Sequence, residues 1–312
     1  MAPNRDYTFR INSMRIHWGS ILARRLLALS VGYCFLLSSV SWGWWETGHQ
    51  VVARIAAAHL NLAARARVAR ILEVPDTAEA VSDALARAAT WADEIKNDNN
   101  TGSWHYIDLT IQDHKWDIPE RCKDDNCAPA RIRLFAKQLA SRHGGSGPTD
   151  GDALRYVVHF VADVHQPLHA ISDADLGGNC ERLAPPLGKA KNLHALWDGE
   201  IIDEMASSDR ELATMLETDI DGLGRRAREI AQGNVNDWVW ESHEIAINDI
   251  YRPLRIPLEP VEFPASCKDA PLGIAELRVH IQPWYVEEMK PVVRSQLVKA
   301  GLRLARLLNE TL

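Results

Sequence analysis

The chain predicts a mainly α fold, a single helical domain with long loops held by disulfides. Apolar residues recur at helical spacing along most of its 312 residues, strand-like alternation is scarce, and Gly, Pro, Asn and Asp gather in the breaks. A hydrophobic share of 46% is enough for one sizeable core.

Each element has its own signal. Residues 49–71 are Ala- and Arg-rich with a helical apolar period, and 78–96 and 130–142 behave alike. Thr149 is placed to cap a helix running from Asp150 towards Pro167. Further helices are expected over 193–206, 209–232, 235–250 and 273–309, the last interrupted by Pro283 and Pro291. Loop chemistry marks 97–102, 112–129, 144–148 and 173–191, the last with Gly177-Gly178-Asn179.

Residues 1–43 read as a signal peptide. Arg24 and Arg25 close a basic region, 26–40 is mostly apolar, and Ser41 and Gly43 are the small residues of a cleavage site. The apolar run falls short of the roughly 20 residues of a membrane span; an uncleaved anchor is the alternative. The basic region is long, so Met14 is an alternative start. Cleavage leaves 44–312 as the mature domain, secreted or periplasmic, with no stable membrane association and no obligate protein partner implied. Cys34 leaves with the leader. Cys122, Cys127, Cys180 and Cys267 remain, an even number in an exported chain, which points to two disulfides. Cys122 and Cys127 can close a small ring, which leaves Cys180 with Cys267. A zinc knuckle is disfavoured because C-x-x-C does not occur.

The net charge is −7, and without the leader's five arginines and one acid it is −11. Proteins that grip duplex nucleic acid through phosphates carry basic patches. If this chain handles a polyanion, bound metal is the obvious source of positive charge.

The chemistry-bearing motifs are rich in metal donors. In His159-Phe-Val-Ala-Asp163-Val-His165-Gln-Pro167-Leu-His169, positions i and i+4 share a helix face, so His159 and Asp163 point together. Pro167 should bend the chain and aim His169 elsewhere. A buried His–Asp hydrogen bond is the plainer reading. His194 and Asp198 form a second such pair, and with His169 they make three ligands, the count of an open zinc site. Trp91-Ala-Asp93-Glu94 ends a helix, and Trp104-His105-Tyr106-Ile107-Asp108 starts an extended segment. Singly, Asp93 reads as a solvated carboxylate and His105 as a core histidine. The proposed cleavage makes Trp44 the N-terminus. A free α-amine, with a pKa of about 8, can lose its proton and bind metal alongside His49. A hydrophobic tail packed on the core is the alternative.

Together, the W…GH, WAD, WHYID, HFxxDxHQPLH, D…GGN and NLHxxWD motifs, in that order from Trp44 onwards, resemble the zinc-dependent single-strand-specific nucleases of fungi, plants and bacteria. The resemblance implies a helical domain of the zinc phospholipase C and single-strand nuclease type, with three Zn2+ ions at the bottom of a cleft. Its ligand set falls on Asp93, His105, His159 and Asp163 for one ion. Trp44, through amine and carbonyl, with His49 and a bridging Asp163 would hold a second, and His169, His194 and Asp198 a third. His165 is then structural. Lys96 and Asp108 take catalytic positions; Tyr106 stacks a base and Asn179 contacts substrate. The implied activity is cleavage of single-stranded DNA and RNA to 5′-phosphate ends, with 3′-nucleotides as further substrates. A water activated by the metals would be the nucleophile.

Two rivals remain at this point. A zinc phospholipase C spaces the Trp and the next His further apart and has Glu where this chain has Asp198. A non-catalytic, secreted, zinc-stabilised binding protein would need neither Lys96 nor Asp108.

Overall fold

The computed structural model describes residues 44–141, 149–257, 266–275 and 277–312, all within one unit, Ser41–Leu312. The leader expected over 1–43 lies outside the described residues. Helices dominate, as the periodicity predicts.

The expected helix 49–71 is two: α1 (Glu46–Ala58) and α2 (Leu62–Ile71), because the Asn61 side chain accepts the Ala64 N–H at 2.9 Å and starts a new helix. The expected 78–96 also divides, into α3 (Ala78–Ala88) and α4 (Trp91–Ile95). After them come α5 (Ile118–Arg121), α6 (Ala128–Ser141) and α7 (Asp150–Asp163). Thr149 caps α7 as anticipated and forms a reciprocal capping box with Asp152. That helix ends at Asp163, ahead of Pro167, and Pro167–Ala170 form a separate 3₁₀ turn.

Residues 173–191, expected as loop, contain a hairpin of β1 (Arg182–Leu187) and antiparallel β2 (Ala190–Asn192). The expected helix 193–206 is α8 (Leu193–Ala195), a wide π turn over Leu196–Glu200, and α9 (Ile201–Asp203). Next are α10 (Asp209–Leu223), α11 (Arg226–Ile230), α12 (Val235–Ile245) and α13 (Leu272–Ala275). A short β3 (Arg278–Val279) adds in parallel to β1. The chain closes with α14 (Pro283–Thr311), which runs straight through Pro291. Pro291 and Glu287, whose carbonyl loses its helical partner, are both exposed, so the carbonyl is open to solvent.

The core forms where α14 lies along α1, α3 packs on α1, and α6 on α7. Its largest fully buried side chains include Trp44, Trp197, Trp238, Tyr251 and Tyr285. Both expected disulfides are present, Cys122–Cys127 and Cys180–Cys267. Among the described residues no helix is long and apolar enough to cross a membrane.

Candidate metal centre

Asp163, at the last position of α7, is the hub. Its Oδ1 lies 3.2 Å from His49 Nε2 and 3.5 Å from His169 Nδ1, and its Oδ2 lies 3.1 Å from His105 Nδ1 and 3.2 Å from His159 Nε2. One fully buried carboxylate thus faces four imidazoles supplied by α1, the 3₁₀ turn Gly102–His105, α7 itself and the Pro167–Ala170 turn. Asp93, on α4, completes one side: its Oδ1 is 3.6 Å from His105 Nδ1 and 3.8 Å from His159 Nε2. On the other side, His169 Nε2 is 3.8 Å from Asp198 Oδ1, and His194 Nε2 is 3.3 Å from Asp198 Oδ2. Three sets of donor atoms, each within 4.8 Å of one another, result: Asp93/His105/His159, His49/His159/Asp163 and His169/His194/Asp198. His159 and His169 fall in different donor sets.

Backbone carbonyls orient the imidazoles. The Nδ1–H groups of His159, His169 and His194 donate to the carbonyls of Ala89, His105 and Gly177 at 2.5, 2.9 and 2.6 Å. That turns each Nε2 inward, the orientation a metal ligand needs when the ion takes the place of a proton. The break between α3 and α4 has a use here, since it presents the Ala89 carbonyl. His49 and His159 stack at 4.0 Å between centroids, and His169 and His194 at 5.0 Å.

The electrostatics call for a cation. Burial alone would raise the Asp163 carboxyl, but His159 and His169, with hydrogen bonds from His105 and His159, hold it well below the usual range. Asp93 is lowered against its own burial by His159, His49 and Lys96. Burial opposes protonation of His159, yet Asp163 and Asp93 push it up to about 9. Burial lowers His169 to about 4 and His194 to about 3. Buried His169 Nε2 has no hydrogen-bond partner. Ionised acids, inward lone pairs and an orphaned imidazole nitrogen fit metal ions better than a hydrogen-bonded core.

The other expected residues surround this floor. Trp44 is fully buried and its Nε1–H donates to the Ala162 carbonyl at 2.9 Å, while the Trp45 N–H donates to the Asp198 carbonyl at 2.7 Å. Residues 44 and 45 therefore lie between the two halves of the site. Two glycines make room: a Cβ on Gly48 would sit 2.9 Å from Trp44 Cβ, and one on Gly199 would sit 2.0 Å from the Trp45 ring. Lys96 is buried and its Nζ donates to Asp93 at 2.9 Å. Lys96, Asn97, Gly102, Ser103 and Tyr106 line a pocket of about 280 Å³.

The extended segment begins at Tyr106, not Trp104, because 102–105 close a 3₁₀ turn. Asp108 is half-buried, and burial with nearby Asp175 pushes it up to about 7. The Asn179 side chain donates to the Leu176 carbonyl at 2.8 Å, within its own loop. His165 turns away from the floor: its Nδ1 donates to the Val161 carbonyl at 2.7 Å and its Nε2 accepts from Arg303 of α14 at 2.9 Å. Both of its ring nitrogens are used within the fold. Gln166 was given no role by its sequence pattern, though it sits inside the quoted motif. Its amide donates to Asp198 Oδ1 at 2.5 Å and its carbonyl oxygen accepts the Leu168 N–H at 2.6 Å, all buried.

A helical scaffold carrying three such neighbouring donor groups fits one class, that of metal-dependent enzymes. Comparison with known proteins narrows it. The S1/P1 nuclease family matches residues 44–312. Endonuclease 2 of Arabidopsis thaliana is 30% identical over 277 residues, covering 86% of this chain and 90% of the relative. Nuclease S1 of Aspergillus oryzae is 27% identical over 292 residues, covering 91% and 97%. Nuclease P1 of Penicillium citrinum is 27% identical over 287 residues, covering 86% and 97%. This chain belongs to the S1/P1 nuclease family and is a metal-dependent phosphodiesterase of the endonuclease type.

Proposed function

We propose that this protein is an exported, three-zinc nuclease that cuts single-stranded DNA and RNA to 5′-phosphate products and also acts on 3′-nucleotides. The observation that carries the reading is Asp163, one buried carboxylate shared by four imidazoles between two further acids. Asp93, His105 and His159 with Asp163 would hold one ion. The Trp44 amine and carbonyl with His49 and Asp163 would hold a second, and His169, His194 and Asp198 a third. When bound, zinc supplies Lewis acidity and a water acidic enough to lose its proton near neutral pH.

The chain's own residues do the rest. Lys96, held beside the floor by Asp93, places an ammonium where phosphoryl charge develops. Tyr106 offers a ring for a base in the pocket it lines with Lys96, and a base must leave its stack to reach that ring, which favours single strands. Asp108, pushed up to about 7, can hold or release a proton at neutral pH and orients the attacking water. Asn179 contacts substrate from the edge of its loop. The leader must be removed between Gly43 and Trp44 to free the amine, and the tight seat of Trp44 against Gly48 supports that register. The soluble product is released to the periplasm or medium.

One assay tests this. Purified mature protein is offered single-stranded DNA, RNA, duplex DNA and phosphatidylcholine, with and without chelator, and its metals are counted by mass spectrometry. Chelator-sensitive cleavage of both single strands, well above duplex, with three zincs per chain and a sequenced N-terminus at Trp44, is expected. Lipid cleavage without nucleic-acid cleavage, or inertness towards every substrate, overturns the reading.

A further inference from the structure

The loop between Thr110 and Ala128 takes no part in the site described so far, yet it hangs from it. The Thr110 N–H donates to the Asp113 carboxylate at 2.6 Å, and the Ala128 N–H returns to the Tyr106 carbonyl at 3.1 Å. The Trp104 indole donates to Asn126 at 2.9 Å, and the Cys122–Cys127 bond closes the far end. Arg121, paired with Asp113 at 2.7 Å, acts electrostatically on Asp108. Both ends of the loop are therefore pinned to the segment that carries Tyr106 and Asp108.

On this loop Trp116 is 73% exposed. Its ring stacks on the exposed imidazole of His114, with centroids 4.3 Å apart and planes 9° apart. The segment is held at two points: the His114 N–H donates to Asp117 at 2.7 Å, and Lys115, which separates the two residues in the chain, pairs with Asp237 of α12. Two flat rings, already parallel and fixed, present a π face to solvent at little further ordering cost.

We propose that His114 and Trp116 form a stacking platform for a base of the substrate strand, beyond the nucleotide held in the Tyr106 pocket. This rests on the nucleic-acid reading above. The occupant is a single strand because the loop that carries the platform is tied to the segment that carries Tyr106 of the pocket, and exposed rings take unpaired bases. Base stacking on an aromatic face is tolerant of sequence, as a nuclease needs. It also binds a polyanion without a basic patch, which suits a loop whose acids (Asp113, Asp117, Glu120, Asp124 and Asp125) outnumber Lys115, Arg121 and Lys123.

The test compares wild type, Trp116→Ala and Trp116→Phe on a 12-residue single-stranded oligonucleotide and on a dinucleotide. Loss of the indole should raise KM for the long substrate about tenfold, with kcat kept, move the dinucleotide by less than about twofold, and be largely restored by Phe. An unchanged KM on the long substrate overturns the platform alone, as does an equal loss on both substrates. A wild type inert on both removes the parent reading and the platform with it.

Discussion

Two buried groups of acids lie close together in this fold and behave in opposite ways. In the metal centre, burial would raise Asp163 and Asp93, yet surrounding imidazoles drive both down. Further along the chain, Asp175 and Glu181 are as buried as Asp163, but no imidazole or ammonium offsets them. Asp175 accepts from the Tyr251 hydroxyl at 2.7 Å and the Gly178 N–H at 2.9 Å, and burial still leaves it raised. Glu181 is fully buried with no hydrogen-bond partner on either oxygen, and burial with Asp175 and Asp173 pushes it up to about 8. The difference teaches what makes a cation site. Burial and carboxylates alone collect protons; carboxylates interleaved with oriented imidazoles keep their charge and present lone pairs beside it.

Removing the shared carboxylate should have the largest effect. Asp163→Asn should cut kcat by on the order of a thousandfold or more and lower the bound metal content, read by steady-state kinetics and metal analysis. Full metal content with normal turnover would break the comparison at its centre. Next comes Gln166, which fixes the rotamer of Asp198. Gln166→Leu should weaken metal retention at the Asp198 side of the site by about tenfold to a hundredfold in chelator competition while the fold survives.

The smallest change belongs to the other acid group. Glu181 binds more protons folded than unfolded between its ordinary 4.5 and about 8, so it lowers stability progressively as pH rises through that window. Glu181→Gln should therefore stabilise the protein at pH 8 by about 1–2 kcal/mol and do nothing at pH 4, measured by denaturant unfolding. A loss of stability at pH 8 would mean that Glu181 works as an ion there, like the acids of the metal centre.

Much of the site was legible because helices repeat. His159 with Asp163, and His194 with Asp198, are four apart, and that spacing alone puts each pair on one face. Gly and Pro likewise announced most breaks. The breaks they did not announce were set locally by side chains and by packing: the Asn61 cap, the π turn at Leu196–Glu200 and the 3₁₀ turn at His105. Pro291 misled in the other direction, since its missing bond falls on a solvated face.

The sequence by itself therefore determined the helical class, the disulfide partners and the kinds of donor atom, because these follow from short-range periodicity and composition. Tertiary structure alone decided that Asp163 stands among four imidazoles, that the Ala89, His105 and Gly177 carbonyls orient the rings, and that Gln166 holds Asp198. It also decided that Asp108 and Glu181 take up protons at a pH where exposed acids are ionised. The physical reason is the same in each case: desolvation and hydrogen bonding depend on what lies across space, and residues far apart in the chain supply it.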